Sequence, residues 1–384
     1  MSAKRRTIIC FAGDAWDGNP HSRHHLMRRF AERWDVLFVE GVPMRSVAAR
    51  NPGETRRVLA KLRSRAGLRT VESGLHVLRP FPVPPTGRVG RRLQIETLRQ
   101  QVLAARQKLA LDGPVLAWFS LPVAAPLLGR LGETASLFYY QDRYDAFTSV
   151  DGPYLRECVS HLASRSDVTV ASAAELAGDL RGLGAEPIVV PHGVDTARFA
   201  GSPPPPADLA GYERPLIGYV GLIDDYLDFD VLRATADRIQ RGTIVLVGPQ
   251  NTDVSGLEHA RIALVGPRTY ASIPAYLEAF ACCLVPFKIN RLTLAVNPIK
   301  LREYLAAGRP VVSTPLPEVA PYSDVATVAA GAGDFARAVV ASLAPGADDH
   351  EQRSRRRDRV AADSWDAAAA TIESIMDRAM SPTG

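Results

Sequence analysis

The sequence predicts an α/β fold with two doubly wound parallel sheets, one in each half of the chain. Short apolar runs alternate with helical segments in both halves of the 384 residues, and this alternation is typical of βαβ units. A proline-rich stretch, Gly201 to Pro206, separates the two alternations. The length also exceeds what one ordinary hydrophobic core holds, which favours two domains.

The elements of the first half follow one another at the spacing of βαβ units. Strands are predicted at 7–12, 36–39, 75–80, 115–119, 136–140, 167–171 and 187–191, and helices at 24–33, 91–111, 153–166 and 173–183. Residues 45–69 hold eight basic residues and one acidic residue, Glu54, and are predicted to form a surface segment. That segment has two interpretations, a contact with anionic lipid and a solvated loop.

The second half repeats the alternation after the proline-rich stretch. Strands are predicted at 215–220, 243–247, 262–265, 282–286 and 310–313, and helices at 228–240, 273–280, 298–307 and 348–380. The predicted organisation is an N-terminal domain at 1–200, a linker at 201–213, a C-terminal domain at 214–350 and a last helical part at 351–384.

Composition and short motifs exclude several classes of function. A net charge of +5 permits an anionic partner, but basic residues without interleaved aromatics argue against nucleic acid. The four cysteines have neither metal-binding nor disulfide-framework spacing, so a reducing cytoplasm is expected. No apolar run is long enough to span a membrane. No strand is followed by G-x-G-x-x-G, which disfavours a dinucleotide dehydrogenase.

Residues 296–314 are the most informative motif of the chain. Asn297 is expected to cap a helix whose first residue is Pro298, and Gly308 fits the position just past its end. The free N–H groups and partial positive charge at a helix N-terminus suit a phosphate group. The motif therefore predicts a helix that binds an anion with its first turn.

Lys300 and Glu303 lie three residues apart and so share one face of this predicted helix. Lys300 adds a full positive charge for a diphosphate. Glu303 offers a carboxylate to a neighbouring pair of hydroxyls, as acidic residues do in dinucleotide sites. The alternative is a solvated ion pair of the kind common on helix surfaces. Spacing alone leaves both interpretations open.

Several segments resemble those of GT-B fold glycosyltransferases, close to the family-4 and family-1-like bacterial group. The similar stretches are 214–228, 245–249, 265–270, 273–277, 284–288 and, most strongly, 297–314. In the first half, 191–195 is similar to the motif that closes the acceptor domain, and Trp365 fits a last helix that packs back on that domain. The resemblance implies two Rossmann-like domains facing across a cleft, with the nucleotide bound mainly by the second.

The resemblance also implies a set of donor-binding residues. Glu303 would hold the ribose hydroxyls and Lys300 the diphosphate. Gly221 and Gly248 would let the backbone approach the donor, although each is equally compatible with an ordinary tight turn. The full donor set is Gly221, Gly248, Arg268, Thr293, Asn297, Pro298, Lys300 and Glu303. Lys300, the helix N-terminus and Arg268 would stabilise the leaving diphosphate, without a metal or another cofactor.

Two departures from the family pattern concern the sugar. Family-4 enzymes carry a second glutamate eight residues before the one that matches Glu303, and Ala295 stands at that position here. Asp224 and Asp225 occupy a loop where the family has an Arg/Lys pair. A retaining reaction is the expectation, but these departures leave the identity of the sugar and the anomeric outcome open.

The remaining candidates follow strands of the first half. Glycosyl transfer stabilises the leaving group, and an inverting reaction also needs a base on the acceptor hydroxyl. The catalytic candidates are Asp14, Asp17, Asp142, Asp145 and Lys300, and the acceptor-binding candidates are Trp16, Arg23, His24, His25 and His192. The alternative for a single residue of these types is a helix cap or a surface group.

The expected function is a nucleotide-sugar-dependent hexosyltransferase of polysaccharide or glycoconjugate biosynthesis. It would move a sugar from a UDP-sugar, or next a GDP-sugar, to a hydroxyl of a glycan, lipid-linked or small-molecule acceptor. The expected location is the cytoplasm or the inner face of the membrane, with a peripheral contact to anionic lipid as one option. Two rivals stay open: a nucleotide-sugar 2-epimerase of the same fold, and a non-catalytic sugar-nucleotide-binding subunit.

Overall fold

The fold is given by a computed structural model, which describes residues 4–41, 67–81, 83, 87–147 and 150–381. The chain divides into two compact units, one formed by Met1–Pro191 with Ala368–Gly384 and the other by His192–Ala367. Most of the basic segment 45–69 lies outside the described residues, so the interpretations of that segment stay predictions.

The first unit is built on an eight-stranded sheet of order β3-β4-β2-β1-β5-β6-β7-β8. Its strands are β1 Thr7–Phe11, β2 Asp35–Val39, β3 Gly67–Glu72, β4 Leu75–Arg79, β5 Val115–Phe119, β6 Ala135–Tyr140, β7 Val168–Ala171 and β8 Ile188–Val189. All neighbours pair in parallel except β3, which runs antiparallel to β4 at one edge. The predicted parallel sheet is confirmed, and β3 is an addition to it.

The helices that the described residues of the first half add to this sheet are α1 Ser22–Phe30, α2 Gly87–Lys108, α3 Gly152–Arg165 and α4 Ala174–Arg181. Local sequence sets the start of α3, because the Asp151 side chain accepts a hydrogen bond from the backbone N–H of Tyr154. Pro153 then occupies the first turn, where its missing N–H costs nothing. The predicted helix at 91–111 starts and ends earlier, as α2.

The second unit is built on a parallel six-stranded sheet of order β11-β10-β9-β12-β13-β14. Its strands are β9 Leu216–Val220, β10 Thr243–Val247, β11 Ile262–Gly266, β12 Phe280–Val285, β13 Val311–Ser313 and β14 Thr327–Val328. The helices that follow in chain order are α5 Thr196–Phe199, α6 Phe229–Arg238, α7 Ile273–Ala279, α8 Ile299–Ala306, α9 Gly331–Ser342, α10 His350–Val360 and α11 Trp365–Met380.

The central strands of the second sheet are buried on both faces, which explains their continuous apolar sequences. Gly218 in the middle of β9 is required by this packing. A Cβ there would lie 1.9 Å from the ring of Phe280, which β12 places beside it. The strand glycine therefore makes room for an aromatic side chain of the core.

The chain passes from the first unit to the second after Pro191 and returns to the first after Ala367, so neither crossing lies in the proline-rich stretch. Val194 pairs with Ser364 in an isolated bridge and, like Phe199, belongs to the core of the second unit. Leu209 is also buried in that core. Residues 201–206 thus lie within the second unit, and 192–200, predicted as part of the first domain, pack there too.

The C-terminal part differs in detail from the prediction. The helical tract expected at 348–380 is two helices, α10 and α11, with a break at 361–364. The residues of α11 from Ala368 onwards pack in the first unit. Helix α9 was not predicted, because its first turn contains Gly331 and Gly333, which weaken a helical pattern. None of the helices in the described parts of the chain has the length and apolarity needed to cross a bilayer.

Candidate functional site

Helix α8 confirms the central prediction of a short helix between a proline and a glycine. It runs from Ile299 to Ala306, and Gly308 follows with a φ of +75°, a conformation that favours glycine. Its N-cap is Pro298, and no side chain caps its first N–H groups. The prediction that Asn297 caps the helix and that Pro298 is its first residue is therefore wrong.

Asn297 instead anchors the start of α8 to residues distant in sequence. Its amide donates to Glu318 at 2.6 Å and its oxygen accepts from Arg302 Nη1 at 2.7 Å. Arg302 in turn lies 3.5 Å from Asp363, and Tyr322 OH donates to the same carboxylate. Asn297 and Arg302 are buried, so this network fixes the position from which the first turn of α8 projects.

We expect Asn297→Ala to lower stability more than it lowers nucleotide affinity. The substitution removes both hydrogen bonds and leaves Arg302 buried with one partner fewer, which costs about 1–3 kcal/mol. Thermal unfolding and a titration with UDP measure the two effects. A variant that unfolds like the parent chain but no longer binds UDP would mean that Asn297 contacts the donor directly.

Lys300 lies directly over Gly221, the residue that follows strand β9. A Cβ on Gly221 would fall 2.0 Å from Lys300 Cε and 2.8 Å from Lys300 Nζ. The aliphatic part of the lysine therefore occupies the space that a side chain at Gly221 would fill. The end of β9 and the first turn of α8 are thus brought together, and they hold the lysine amine beside the backbone of Gly221.

Gly248 is required for a different reason, the close approach of two strand ends. A Cβ there would lie 1.8 Å from the carbonyl oxygen of Gly221, and the Gly221 N–H donates to the carbonyl of Val247 at 2.8 Å. The backbones that leave β9 and β10 are therefore in contact. This contact between the two backbones accounts for a glycine at position 248, and the predicted approach of Gly248 to the donor stays a prediction.

Glu303 is buried on α8 within a group of polar partners. Burial raises the pKa of Glu303, and the charge of Lys300, a hydrogen bond from Tyr270 and the charge of Arg198 act in the opposite direction. Burial likewise lowers the pKa of Lys300, against the charge of Glu303. An anion beside Lys300 would favour the protonated amine, so the site is suited to a negatively charged ligand.

Sequence reasoning missed two partners of Glu303. The Arg198 guanidinium of α5 lies 5.0 Å above the centre of the Tyr270 ring, and Tyr270 hydrogen-bonds to Glu303. Tyr270 lies in one of the stretches that carry the family resemblance, which is the signal that could have drawn attention to it. Arg198 gave no such signal, since only the packing of α5 against α8 brings it to the site.

The other predicted donor residues have partners of their own. Arg268 pairs with Asp208 at 2.6 Å and donates to Tyr276 OH. The buried Thr293 hydroxyl accepts from the N–H of Asn290 at 3.1 Å and donates to the carbonyl of Lys288 within one turn. Arg268 and Thr293 thus have partners outside the group that Gly221, Lys300 and Glu303 form, and their contact with a donor stays a prediction.

In the first unit, polar groups gather at the carboxyl ends of β1 and β6. Arg23, at the start of α1, donates through Nε to Asp14 at 2.8 Å and through Nη1 to Gln141 at 3.2 Å. Gln141 also accepts from Ser22 at 2.7 Å, and the electrostatic influence of Asp142 reaches Arg23. The predicted candidates Asp14, Arg23 and Asp142 therefore form one cluster.

The two carboxyl groups of this cluster are shifted in opposite directions. Burial raises the pKa of Asp142 to about 6, although Arg23 lowers it. The pKa of Asp14 falls below its ordinary value, because Arg23 and the neighbouring histidines outweigh its burial. A carboxylate with a pKa near neutrality is suited to taking a proton from a hydroxyl, which makes Asp142 the better candidate base.

The remaining candidates of the first half have contacts with other residues. Asp17 is exposed and pairs with Arg69 at 2.7 Å, whereas Asp145 pairs with Arg156 at 3.4 Å. Trp16 is buried, and its backbone N–H donates to Glu40 at 2.6 Å. The backbone carbonyl of His25 accepts from Arg29, and His192 packs on Trp365 in the second unit. In the described residues, no three His, Cys, Asp or Glu side chains form a candidate metal site.

His24 is a core histidine that fixes the loop before α1. Its Nδ1 accepts from the N–H of His21 at 3.0 Å, which leaves Nε2 to donate to the carbonyl of Ala15 at 3.2 Å. The ring packs against Trp16 and Phe38. Both ring nitrogens are used, so the predicted contact with an acceptor has no free group on His24.

We expect His24→Gln to flatten the pH dependence of stability below neutrality. Burial lowers the pKa of His24 from 6.5 to about 4, so the unfolded chain binds this proton more readily. The stability that the neutral, buried His24 ring gives the folded state is fully present above pH 6.5. As the pH falls towards 4, the free energy of unfolding decreases by up to about 3 kcal/mol. Denaturant unfolding across this window measures it, and equal slopes for both proteins would contradict the assignment.

The second half of the chain matches a known family of enzymes. Residues 214–375 match the family model described as "Glycosyl transferases group 1". A Bacillus subtilis (strain 168) protein named as a teichuronic acid biosynthesis glycosyltransferase, TuaH, is 36% identical over 135 residues. That match covers 33% of this chain and 34% of the relative, so it spans about a third of the relative's length.

Solved structures match over nearly the whole chain. They include sucrose-phosphate synthase of Thermosynechococcus elongatus, with a TM-score of 0.69, 18% identity and coverage of 97% of this chain and 98% of the other. HepE of Anabaena, in complex with UDP and glucose, has a TM-score of 0.67 and 13% identity, covering 97% and 99%. These similarities show the fold. The predicted GT-B class, with two Rossmann-like units, is confirmed.

Proposed function

We propose that this protein is a nucleotide-sugar-dependent glycosyltransferase. It transfers a sugar from a nucleoside-diphosphate sugar, with UDP favoured and GDP next, to a hydroxyl of a glycan, lipid-linked or small-molecule acceptor. The observation that carries the proposal is the arrangement of Lys300 and Glu303 on the first turns of α8, with Lys300 held over Gly221.

The chemistry of a diphosphate sugar matches this arrangement. Lys300 and the uncapped N–H groups of α8 together supply positive charge and hydrogen-bond donors to a diphosphate. Glu303 lies one turn further along the same face and can accept from the two ribose hydroxyls. In glycosyl transfer the diphosphate leaves as an anion, so the same groups would stabilise the leaving group.

The choice of donor and reaction is supported by the similar proteins. The family match lies over the unit that contains α8, and the relative named above is described as a glycosyltransferase. HepE has been solved with UDP-glucose and with UDP. UDP is therefore the first nucleotide to test, and GDP the second.

The acceptor side is proposed to be served by the first unit. Asp142, with a pKa of about 6, would accept the proton of the attacking hydroxyl if the reaction inverts the anomeric centre. A retaining reaction has no such need. The anomeric configuration of the product, read by proton NMR, decides between them.

A nucleotide screen tests the donor site directly. Thermal unfolding is followed with UDP, GDP, ADP, TDP and CDP, with EDTA and then with magnesium, since a ligand that binds the folded state raises its stability. Stabilisation by UDP in EDTA that is lost in Glu303→Ala and kept in the exposed control Glu258→Ala is the expected result. No stabilisation by any nucleotide would contradict the proposal.

Turnover separates the proposed reaction from its rivals. A transferase releases UDP from UDP-sugars only when an acceptor is present, and we expect this release to persist in EDTA. An epimerase would change the donor without an acceptor. Binding of UDP-sugars without turnover against a broad acceptor panel would indicate the accessory role. The observation that favours this rival is the buried Ala295, which stands where the family has a glutamate.

A further inference from the structure

The three most exposed large apolar side chains of the described residues lie on or against one helix of the first unit. Val89, Leu93 and Phe81 have exposed fractions of 80%, 58% and 53%. Val89 and Leu93 are four residues apart near the start of α2, so they are neighbours on one face. Single exposed apolar residues are ordinary, but a cluster indicates a surface that binds something.

Helix α2 packs through the opposite face, and Val89 and Leu93 stay exposed on this one. Ile95, Leu98 and Val102 are the buried positions of its inner face. The backbone N–H of Phe81 donates to the Gln101 side chain at 2.6 Å, which holds Phe81 against the same helix. Gln101 lies eight residues after Leu93, about 12 Å along the helix axis, with Thr97 between them. The exposed apolar strip therefore consists of Val89 and Leu93, and Phe81 lies apart from it on the same helix.

The charge around this strip is positive. Arg88 and Arg92 are exposed beside Val89 and Leu93, and neither has a hydrogen bond or an ion pair among the described residues. The first turn of α2 contains no acidic residue. Positive charges near a helix N-terminus oppose the helix dipole by about 0.3–1 kcal/mol, so the helix itself gains nothing from these arginines.

We propose that the outer face at the start of α2, formed by Arg88, Val89, Arg92 and Leu93, binds the surface of an anionic lipid bilayer. Apolar side chains that enter the region below the headgroups, flanked by arginines that meet the lipid phosphates, are the features of an interfacial helix. Charge complementarity favours this occupant over a second copy of the chain, because two copies of the face would place Arg88 and Arg92 opposite like charges.

Vesicle co-sedimentation of the full chain tests this proposal. Vesicles of phosphatidylcholine alone are compared with vesicles that also contain phosphatidylglycerol. We expect binding to the anionic vesicles only. Val89→Ser with Leu93→Ser should weaken it at least about tenfold, and Arg88→Gln with Arg92→Gln about thirtyfold. Val340→Ser, at a 40% exposed position on α9 in the second unit, is the matched control and should bind normally.

Three results would overturn the proposal. The first is equal binding, or no binding, to the two kinds of vesicle. The second is normal binding by the Val89→Ser, Leu93→Ser protein. The third is a parent chain that sediments as a dimer and becomes a monomer in that variant, which would assign the face to a second copy. The four substituted positions are exposed, and unchanged thermal unfolding and UDP affinity verify that fold and donor site are intact.

Discussion

Lys300→Met is expected to weaken the binding of UDP by about 2 kcal/mol, roughly thirtyfold, because a charge-assisted hydrogen bond to phosphate is lost. Methionine keeps an aliphatic chain against Gly221, where Lys300 Cε would lie 2.0 Å from an added Cβ, so the local packing is preserved. Glu303 retains Tyr270 and Arg198 as partners. Isothermal calorimetry gives the affinity of the variant and the parent chain.

The matched control for this prediction is Lys108→Met. Lys108 is an exposed lysine at the end of α2 in the first unit, so its loss changes the net charge equally without touching the site. We expect the control to bind UDP like the parent chain. If Lys300→Met also binds normally, the diphosphate lies elsewhere and the proposed donor site is wrong.

Gly248→Ala is expected to destabilise the second unit by about 3 kcal/mol or more, the largest effect on stability among the substitutions considered. The added Cβ would meet the carbonyl oxygen of Gly221 at 1.8 Å and its carbonyl carbon at 2.7 Å. Both atoms are backbone, so neither can move away as a side-chain end could. The strand ends must separate, which also displaces Gly221 from beneath Lys300.

Gly333→Ala is the control for this effect. Gly333 lies in α9 of the same unit, and a Cβ there would meet nothing closer than Arg337 Nη1 at 3.7 Å. Replacing a helical glycine by alanine is expected to be neutral or to stabilise by up to about 1 kcal/mol. Thermal unfolding of both variants measures the contrast. Equal stability of the two variants would contradict the close contact of β9 and β10.

The sequence predicted the sheets and helix α8 because the signals for them are local. The apolar runs of β9 and β10 and the position of Gly308 are properties of neighbouring residues. Strand β3 was missed for the converse reason. It is an exposed antiparallel edge strand whose side chains show little burial, so no apolar pattern marks it.

The roles of single site residues were harder to predict, because they depend on partners distant in sequence. Asparagine is a residue type that often caps helices, but the side-chain nitrogen of Asn297 donates to Glu318 and its side-chain oxygen accepts from Arg302. Asp17 follows β1, as a catalytic residue can, but Arg69 of β3 pairs with it. Such contacts are set by tertiary packing, which a local pattern does not contain.

Lys300 and Glu303 were found because their spacing has a direct geometric meaning on a helix. That spacing could not decide between a solvated ion pair and a ligand site. The structure argues against a solvated surface pair, since Glu303 is buried and Lys300 lies over Gly221 rather than in open solvent, and the ligand site stays a proposal. Tyr270 and Arg198 complete a set of partners that a surface ion pair would not have.

A crystal structure of the protein with UDP tests the central claim most directly. The account predicts electron density for the diphosphate within hydrogen-bond distance of Lys300 Nζ and the first N–H groups of α8, and for the ribose hydroxyls at Glu303. Density for UDP that contacts neither Lys300 nor Glu303 would contradict the account, whatever the affinity.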